Sequence, residues 1–264
     1  MSLDELIAEI KKNKNYAQLY HPLINRICSE EFSKYKKGKE KIKAVKNRLH
    51  IIYGAFFPSD IKNIKDIKNT DETELLKLNA STSERLPMIN EFYKFIFDNI
   101  NDTEIKSVLD VGCGFNPFAL PYMRSYIPNL ERYYALDIDT GLSEMLNLYF
   151  ACSGLPELAG CIDVISENPG QKADAAFLFK VIPTIENCKK GRGFELIEHI
   201  CANCAVKYII ATFPVKTLCG RNKGMAENYA ALFEKNINYD KISILAKNIV
   251  GNELVYVLAV RHIG

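Results

Sequence analysis

The first residues of this chain that could do chemistry are Asp110-Val-Gly-Cys-Gly114. They close an apolar run, Ser107 to Val111, with an acid and a Gly-x-Gly turn. Glycines in such a turn let the backbone approach a ligand closely. In a dinucleotide fingerprint the third glycine would stand where this chain has Pro117, which disfavours pyrophosphate. A nucleoside without phosphates fits better. Asp137 ends the next apolar run, where a carboxylate can accept both ribose hydroxyls. Asp163 begins or ends the third run, placed to accept the exocyclic amine of adenine. The carboxylates also suit a cationic ligand such as a sulfonium. Singly, Asp137 and Asp163 are ordinary strand-end acids. In order on successive strands they favour a ligand.

Those residues need a frame. Residues 1–80 read as helical. Ser2-x-x-Glu5 is a capping box before Leu3, Leu6, Ile7 and Ile10. A second helix is expected over Pro22 to Tyr35 and a third over Lys39 to Tyr53, with Ile42, Val45, Leu49 and Ile52 as its apolar stripe. Gly54 and Pro58 stop it, and Lys62 to Thr73 reads as a loop or weak helix. From residue 81 the pattern changes. Ser81-x-x-Glu84 is a second capping box, opening a helix to about Asn99. Strands are then expected at 107–111, 132–138, 161–165, 175–179 and 207–213, alternating with helices, and two more near 242–249 and 253–260 flank a Gly251-Asn252 hairpin turn. The expected fold is α/β, a doubly wound, mostly parallel sheet of seven strands with an antiparallel edge. The expected domains are a helical one at 1–80 and a sheet domain at 81–264.

The carboxylate ladder resembles class I S-adenosylmethionine (SAM)-dependent methyltransferases. A longer set narrows the resemblance. Leu49-His50, Tyr53-Gly-Ala-Phe56, Asn79-Ala-Ser-Thr-Ser-Glu-Arg85-Leu86, Asp110 to Pro117, Phe179-Lys180, Phe213-Pro214, Gly220-Arg221-Asn-Lys-Gly-Met225, Glu227-Asn-Tyr229, Phe233-Glu234 and Gly251 to Tyr256 follow one another in a single order. In that order they resemble the aminoglycoside-resistance methyltransferases that modify N7 of guanine 1405 in the decoding site of 16S ribosomal RNA (rRNA). The resemblance implies a site residue by residue. Arg85 would bind the SAM carboxylate, a charge-assisted pair that an arginine at a helix N-terminus suits. Phe56, Asn79, Ala80, Ser81, Gly112, Asp137, Ile138, Asp163, Val164 and Phe179 would complete the cofactor site. Lys180, Arg221 and Met225 would meet the target base as the catalytic set. The sequence departs from the family at Asn79, where histidine is usual, at Ala226, where glutamate is common, and at Asn187, where a basic residue is common.

The implied reaction is direct attack of guanine N7 on the sulfonium methyl, giving S-adenosylhomocysteine (SAH). N7 has a lone pair and no proton, so no general base is needed. His21, His50, His199 and His262 suggest no dyad. N7 lies in the deep groove of A-form RNA, so access implies base flipping or distortion. The implied partner is 16S rRNA in the assembled 30S subunit, and the implied consequence is resistance to 4,6-disubstituted deoxystreptamines such as kanamycin and gentamicin.

Charge and composition agree. The net charge of +2 hides an asymmetry, with 15 Lys/Arg against 8 Asp/Glu in residues 1–68 and a net negative remainder. Lys34, Lys36, Lys37, Lys39, Lys43, Lys46 and Arg48 form the candidate RNA-binding run. From charge alone that run is equally a solvated helix face. A hydrophobic fraction of 48% and 264 residues exclude a disordered chain. No apolar run approaches a membrane span, and the acidic start is unlike a signal peptide, so a cytoplasmic protein is expected; a monomer is expected as well. The eight cysteines are then expected as reduced thiols. Cys201-Ala-Asn-Cys204 lacks a second pair, so no metal is expected. Two other readings are open, a SAM-dependent methyltransferase of a small molecule and a non-catalytic ribosome-binding protein on the same fold.

Overall fold

A computed structural model describes residues 1–53, 67–100, 104–215 and 224–261. Three helices open the chain, α1 (Leu3–Lys11), α2 (His21–Phe32) and α3 (Gly38–Tyr53). The Ser2 capping box is present, with Ser2 Oγ accepting from the Glu5 amide and Glu5 from the Ser2 amide. Pro22 stands in the first turn of α2, where its missing N–H costs nothing. The helices bury Leu6, Ile10, Leu23, Ile24, Ile27, Val45 and Leu49 against one another in a core of their own. The buried stripe of α3 is rotated one residue from expectation. Lys41, Val45, Leu49 and Tyr53 are buried, and Ile42 and Ile52 only partly so. Lys41 is inside because its ammonium sits 3.4 Å from the centre of the Phe32 ring, a cation–π contact.

Two short helices follow, α4 (Glu72–Lys77) and α5 (Ala80–Arg85). The sequence reading missed α4, which Asp71 caps by accepting from the Thr73 amide. Its Leu75 and Leu76 pack with the sheet rather than with the first three helices. The expected Ser81 box is not the cap of α5. Asn79 holds that place, its side chain accepting from the Ser81 amide at 3.0 Å. A 3-10 turn at Leu86–Met88, containing Pro87, separates α5 from α6 (Ile89–Asp98), so one expected helix is three pieces.

The sheet has seven strands in the order β3-β2-β1-β4-β5-β7-β6. β1 (Ser107–Val111), β2 (Arg132–Asp137), β3 (Ala159–Cys161), β4 (Ala175–Phe179) and β5 (Tyr208–Pro214) are parallel. β6 (Ile242–Val250) and β7 (Glu253–Val260) form the expected hairpin, with β7 antiparallel to β5 and Gly251 at φ +58° in the turn. Every residue of β1 and β4 is buried, as a parallel sheet covered on both faces requires. α7 (Leu120–Arg124), α8 (Thr140–Cys152), α9 (Val181–Cys188), α10 (Arg192–Asn203) and α11 (Met225–Asn236) are the helices among these strands. The third strand is shorter than expected, so Asp163 lies two residues past it.

This topology sets the site. Strand order reverses between β1 and β4, and ligands of such sheets bind beyond the carboxyl ends there. Because β7 runs antiparallel, its first residue, Glu253, arrives at that same end. The N-terminal helices close in above it. The Tyr20 amide donates to the Ile138 carbonyl at 2.8 Å, and the Thr140 amide to the Gln18 carbonyl at 2.8 Å.

Candidate functional site

A cavity opens at the switch point, its empty space about 1130 Å³ with the open mouth included. Of the expected cofactor residues, Asn79, Ser81, Arg85, Gly112, Asp137, Ile138, Asp163, Val164 and Phe179 line it, and so does Lys180. Ala80 is exposed and Met225, the first residue of α11, is half-buried; neither lines the cavity. Phe56 and Arg221 lie outside the described residues.

Gly112 and Gly114 shape the floor. Gly112 has φ +67°, and a Cβ there would meet Val181 Cγ2 at 2.6 Å. Its amide donates to the Leu136 carbonyl at 2.7 Å, so the turn is tied to β2. Gly112→Ala is therefore expected to destabilise the fold by about 2 kcal/mol or more, from left-handed strain plus the clash. Loss of SAH affinity should accompany it. Thermal unfolding and calorimetry check both, and a wild-type melting curve with wild-type affinity would contradict it.

Asp137 is held by two amides, Gly114 N at 2.8 Å and Ile138 N at 2.7 Å. Burial pushes its carboxyl pKa up against the pull of those amides. Asp163 is 2% exposed, and Arg26 of α2 grips it through Nε at 2.5 Å and Nη2 at 3.1 Å. Ser166 Oγ and the Ile165 amide also donate to it.

Arg85 departs from expectation. It is the last residue of α5 rather than a residue at a helix N-terminus, because Pro87 ends the helix just beyond. Its guanidinium donates to Glu253 through Nε at 2.8 Å and Nη2 at 3.1 Å, and to Asn116 Oδ1 through Nη1 at 2.8 Å. Phe92 and Phe179 flank its plane, at 4.3 Å and 4.8 Å from their ring centres. An arginine has five N–H donors, so one remains on each terminal nitrogen for a carboxylate. Burial alone would raise the pKa of Glu253, but Arg85 and Lys180 hold it below the ordinary value.

Lys180 caps α9 with φ +55°, a strained conformation for a non-glycine residue. Its amide donates to both the carbonyl and the hydroxyl of Thr212, at 3.1 Å each. Its ammonium lies 3.0 Å from Glu84 and 3.5 Å from Glu253. Phe179 stacks on Phe177 at 4.9 Å, so it serves packing and lines the cavity at once.

Sequence reasoning missed Asn116, which joins the site to the sheet. Its oxygen accepts from Arg85 and from Tyr93 at 2.7 Å, and its nitrogen donates to Asp110 at 2.8 Å. Tyr133 also donates to Asp110 at 2.7 Å, on the same oxygen. Asp110 Oδ1 is buried without a hydrogen-bond partner, and burial raises the carboxyl pKa to about 6. Arg26 and Asp139 were missed too, and Tyr53, quoted in its block, was given no role; all three line the cavity, with Tyr53 donating to Asp139. Their signals are contacts between distant segments, which no local pattern announces.

The basic run divides. Lys34, Lys36, Lys37, Lys39 and Lys43 are exposed, while Lys46 and Arg48 are half-buried. Arg48 pairs with Glu30 and Glu31, and Lys34 with Glu31 at 2.8 Å. Cys201 and Cys204 are buried in an apolar cluster, and burial pushes the Cys201 thiol up to about 12. Among the described residues no group of His, Cys, Asp and Glu could hold a metal ion. Among them, too, no helix is long and apolar enough to cross a membrane.

Comparison with known proteins places this geometry. The model of a family described as ribosomal RNA methyltransferase (FmrO) matches residues 12–257. A curated protein of Serratia marcescens named 16S rRNA (guanine(1405)-N(7))-methyltransferase is 30% identical over 260 residues, covering 98% of both chains. One of the same name from Micromonospora rosea is 28% identical over 272 residues, covering 97% of this chain and 96% of the other. The crystal structure of 16S rRNA methyltransferase RmtF in complex with SAH superposes with a TM-score of 0.85 and 30% identity, over 99% of this chain and all of that one. The 16S rRNA methylase RmtB superposes with a TM-score of 0.82 and 28% identity, over 99% of each chain.

Proposed function

This chain belongs to the FmrO family of ribosomal RNA methyltransferases, and on that premise we propose that it methylates N7 of guanine 1405 in 16S rRNA, with SAM as methyl donor. The observation that carries the reading is one cavity, at the carboxyl ends of β1, β2 and β4, in which Gly112, Asp137, Asp163 and Arg85 converge. The residues fit the cofactor. The floor at Gly112 is a cradle that a single Cβ would fill, and the polar lining includes the carboxylates of Asp137 and Asp163, acceptors for hydroxyls and an amine, and the guanidinium of Arg85.

Bound SAM supplies an electrophilic sulfonium methyl. The chain's own residues then bind and orient. Asp137 accepts the ribose hydroxyls, and its two amide donors keep it aimed. Ile138 and Val164 wall the adenine, which Asp163 reads. Arg85 offers its two remaining N–H groups to the amino-acid carboxylate. Phe179 and Phe92 exclude water around that pair. Lys180, fixed by Glu84 and Glu253, meets the guanine together with Arg221 and with Met225 at the start of α11. No residue has to take a proton from N7. Catalysis therefore rests on alignment, a class of effect worth up to about 7–11 kcal/mol.

The N-terminal domain, with its boundary taken at residue 80, binds phosphates of the assembled 30S subunit through Lys34, Lys36, Lys37, Lys39, Lys43, Lys46 and Arg48. The methylated base carries an added positive charge and bulk, which blocks kanamycin- and gentamicin-type drugs. The enzyme acts as a cytoplasmic monomer without metal. Labelled SAM tests the reading. Label should enter 30S subunits and spare 50S subunits, and no label in 30S would overturn it.

Charge reversal at Lys36, Lys37 and Lys39 together is expected to weaken 30S binding and to flatten its log–log salt slope by about two units or more. SAH affinity should not change. An unchanged slope, measured by binding at several salt concentrations, would return these lysines to a solvated face.

A further inference from the structure

The function just proposed uses both ends of a chain of charges that runs from the basic face into the cavity, but gives no part to its middle, Arg26, Glu30 and Glu31. Asp163 lies at one end, in the cavity, 2% exposed. Arg26 holds it and also reaches Glu30 through Nη1 at 3.0 Å. Glu30 pairs with Arg48, Arg48 with Glu31 at 3.0 Å, and Glu31 with Lys34 at 2.8 Å. Arg48 and Lys34 belong to the run that would meet rRNA phosphates. The other end of the same chain is the carboxylate that would read adenine.

Acceptor capacity makes this more than a ladder of contacts. A carboxylate offers about four lone-pair sites. Asp163 Oδ1 accepts from Arg26 Nη2 and the Ile165 amide, and Oδ2 from Arg26 Nε and Ser166 Oγ. An adenine amine needs one of those places. Arg26 fills two of them, and unlike Ser166 it lines the cavity. It also touches a second carboxylate that can receive it. Glu30 is engaged by Arg48, however, and burial, which alone would raise its pKa, is outweighed by Arg48 and Arg26. If a phosphate takes Arg48, Glu30 loses one of its two cations and holds Arg26 more strongly. Asp163 is then freed for adenine.

We infer that Arg26 is a positioning residue that couples the rRNA-binding face to the adenine end of the cofactor pocket, so that 30S binding and SAM or SAH binding strengthen each other. The inference rests on the function proposed above. Linkage makes the effect reciprocal, so it can be read from either ligand.

The test is 30S affinity of the full chain with and without saturating SAH, for wild type and Glu30→Gln. Glu30 is a half-buried relay carboxylate outside both binding sets, and glutamine keeps its shape. Wild type should bind 30S about fivefold or more tightly with SAH, the lower range of measured couplings. Glu30→Gln should bring that ratio close to one while SAH still binds. Arg26→Gln, as a second variant, should also bring it close to one. Glu30→Asp should restore part of it. A merely structural role would lower affinities and leave the ratio intact. A wild-type ratio of one, or a ratio unchanged in Glu30→Gln, would overturn the coupling. Failure of wild type to bind 30S at all would overturn the proposed function and the coupling with it.

Discussion

Arg85→Ala should destabilise the protein by about 3–5 kcal/mol and also weaken SAH binding, the usual cost of removing one partner from a buried ion pair. Arg85 and Glu253 are both nearly inaccessible, and their contact is a two-bond fork. Without the guanidinium, the one cation left to Glu253 among the described residues is Lys180, at 3.5 Å. Asn116 and the faces of Phe92 and Phe179 also lose a partner. A single variant would not separate folding from binding. The double variant Arg85→Met with Glu253→Gln does, because removing both charges of a buried pair is often close to neutral. It should recover much of the lost stability by thermal unfolding, and it should leave SAH affinity low by calorimetry. Wild-type SAH affinity in the double variant would refute a carboxylate-binding role for Arg85. 30S binding measured without SAH should change little, since Arg85 is far in sequence and function from the basic run.

Asp137→Asn is the second large effect. A hydrogen bond to a charged acceptor is worth about 1.5–3 kcal/mol, and two ribose hydroxyls would be accepted here. The substitution keeps one oxygen, and its amide nitrogen faces either the ribose or one of the two backbone donors. A loss of about 100-fold in SAH affinity follows, or about 2.7 kcal/mol. The pH dependence has a definite sign. Burial raises the pKa of Asp137, so the native state holds its proton more tightly than the unfolded chain does. Its contribution to stability is present below the ordinary carboxylate pKa and is lost as pH rises through the raised value. Ligand affinity runs the other way. It should rise with pH through that same raised value, and the rise should be missing in Asp137→Asn.

The centre of the sheet was readable in advance because β1 and β4 are buried on both faces and show as continuous apolar runs, whereas the half-buried β3 lies earlier than the run expected at 161–165. Asp137 and Gly112 were readable for a related reason, since the end of such a run followed by an acid or a glycine is a local signal. Asp163 was found, but its strand was drawn too long. Ile162 still bonds to Asp137, so the apolar pattern outlasts the ladder. Arg85 was found through resemblance, yet its place at a helix C-terminus depends on how Pro87 divides the segment. The capping of α5 by Asn79 was hidden behind a better-looking Ser-x-x-Glu box two residues on. Glu253 and Asn116 stand inside quoted blocks of the resemblance without a role of their own there, and Arg26 stands outside all of them. They reach the site from a hairpin, a turn and a helix brought together only by the fold.

Position-specific mapping of the methyl group is the most direct measurement. Purified 30S subunits are incubated with the enzyme and SAM, and the 16S rRNA is treated with borohydride and aniline, which cleave at 7-methylguanosine. A single new stop at guanine 1405 is the predicted result. Label incorporated without a stop there, or no modification by an enzyme that still binds SAH, would contradict it.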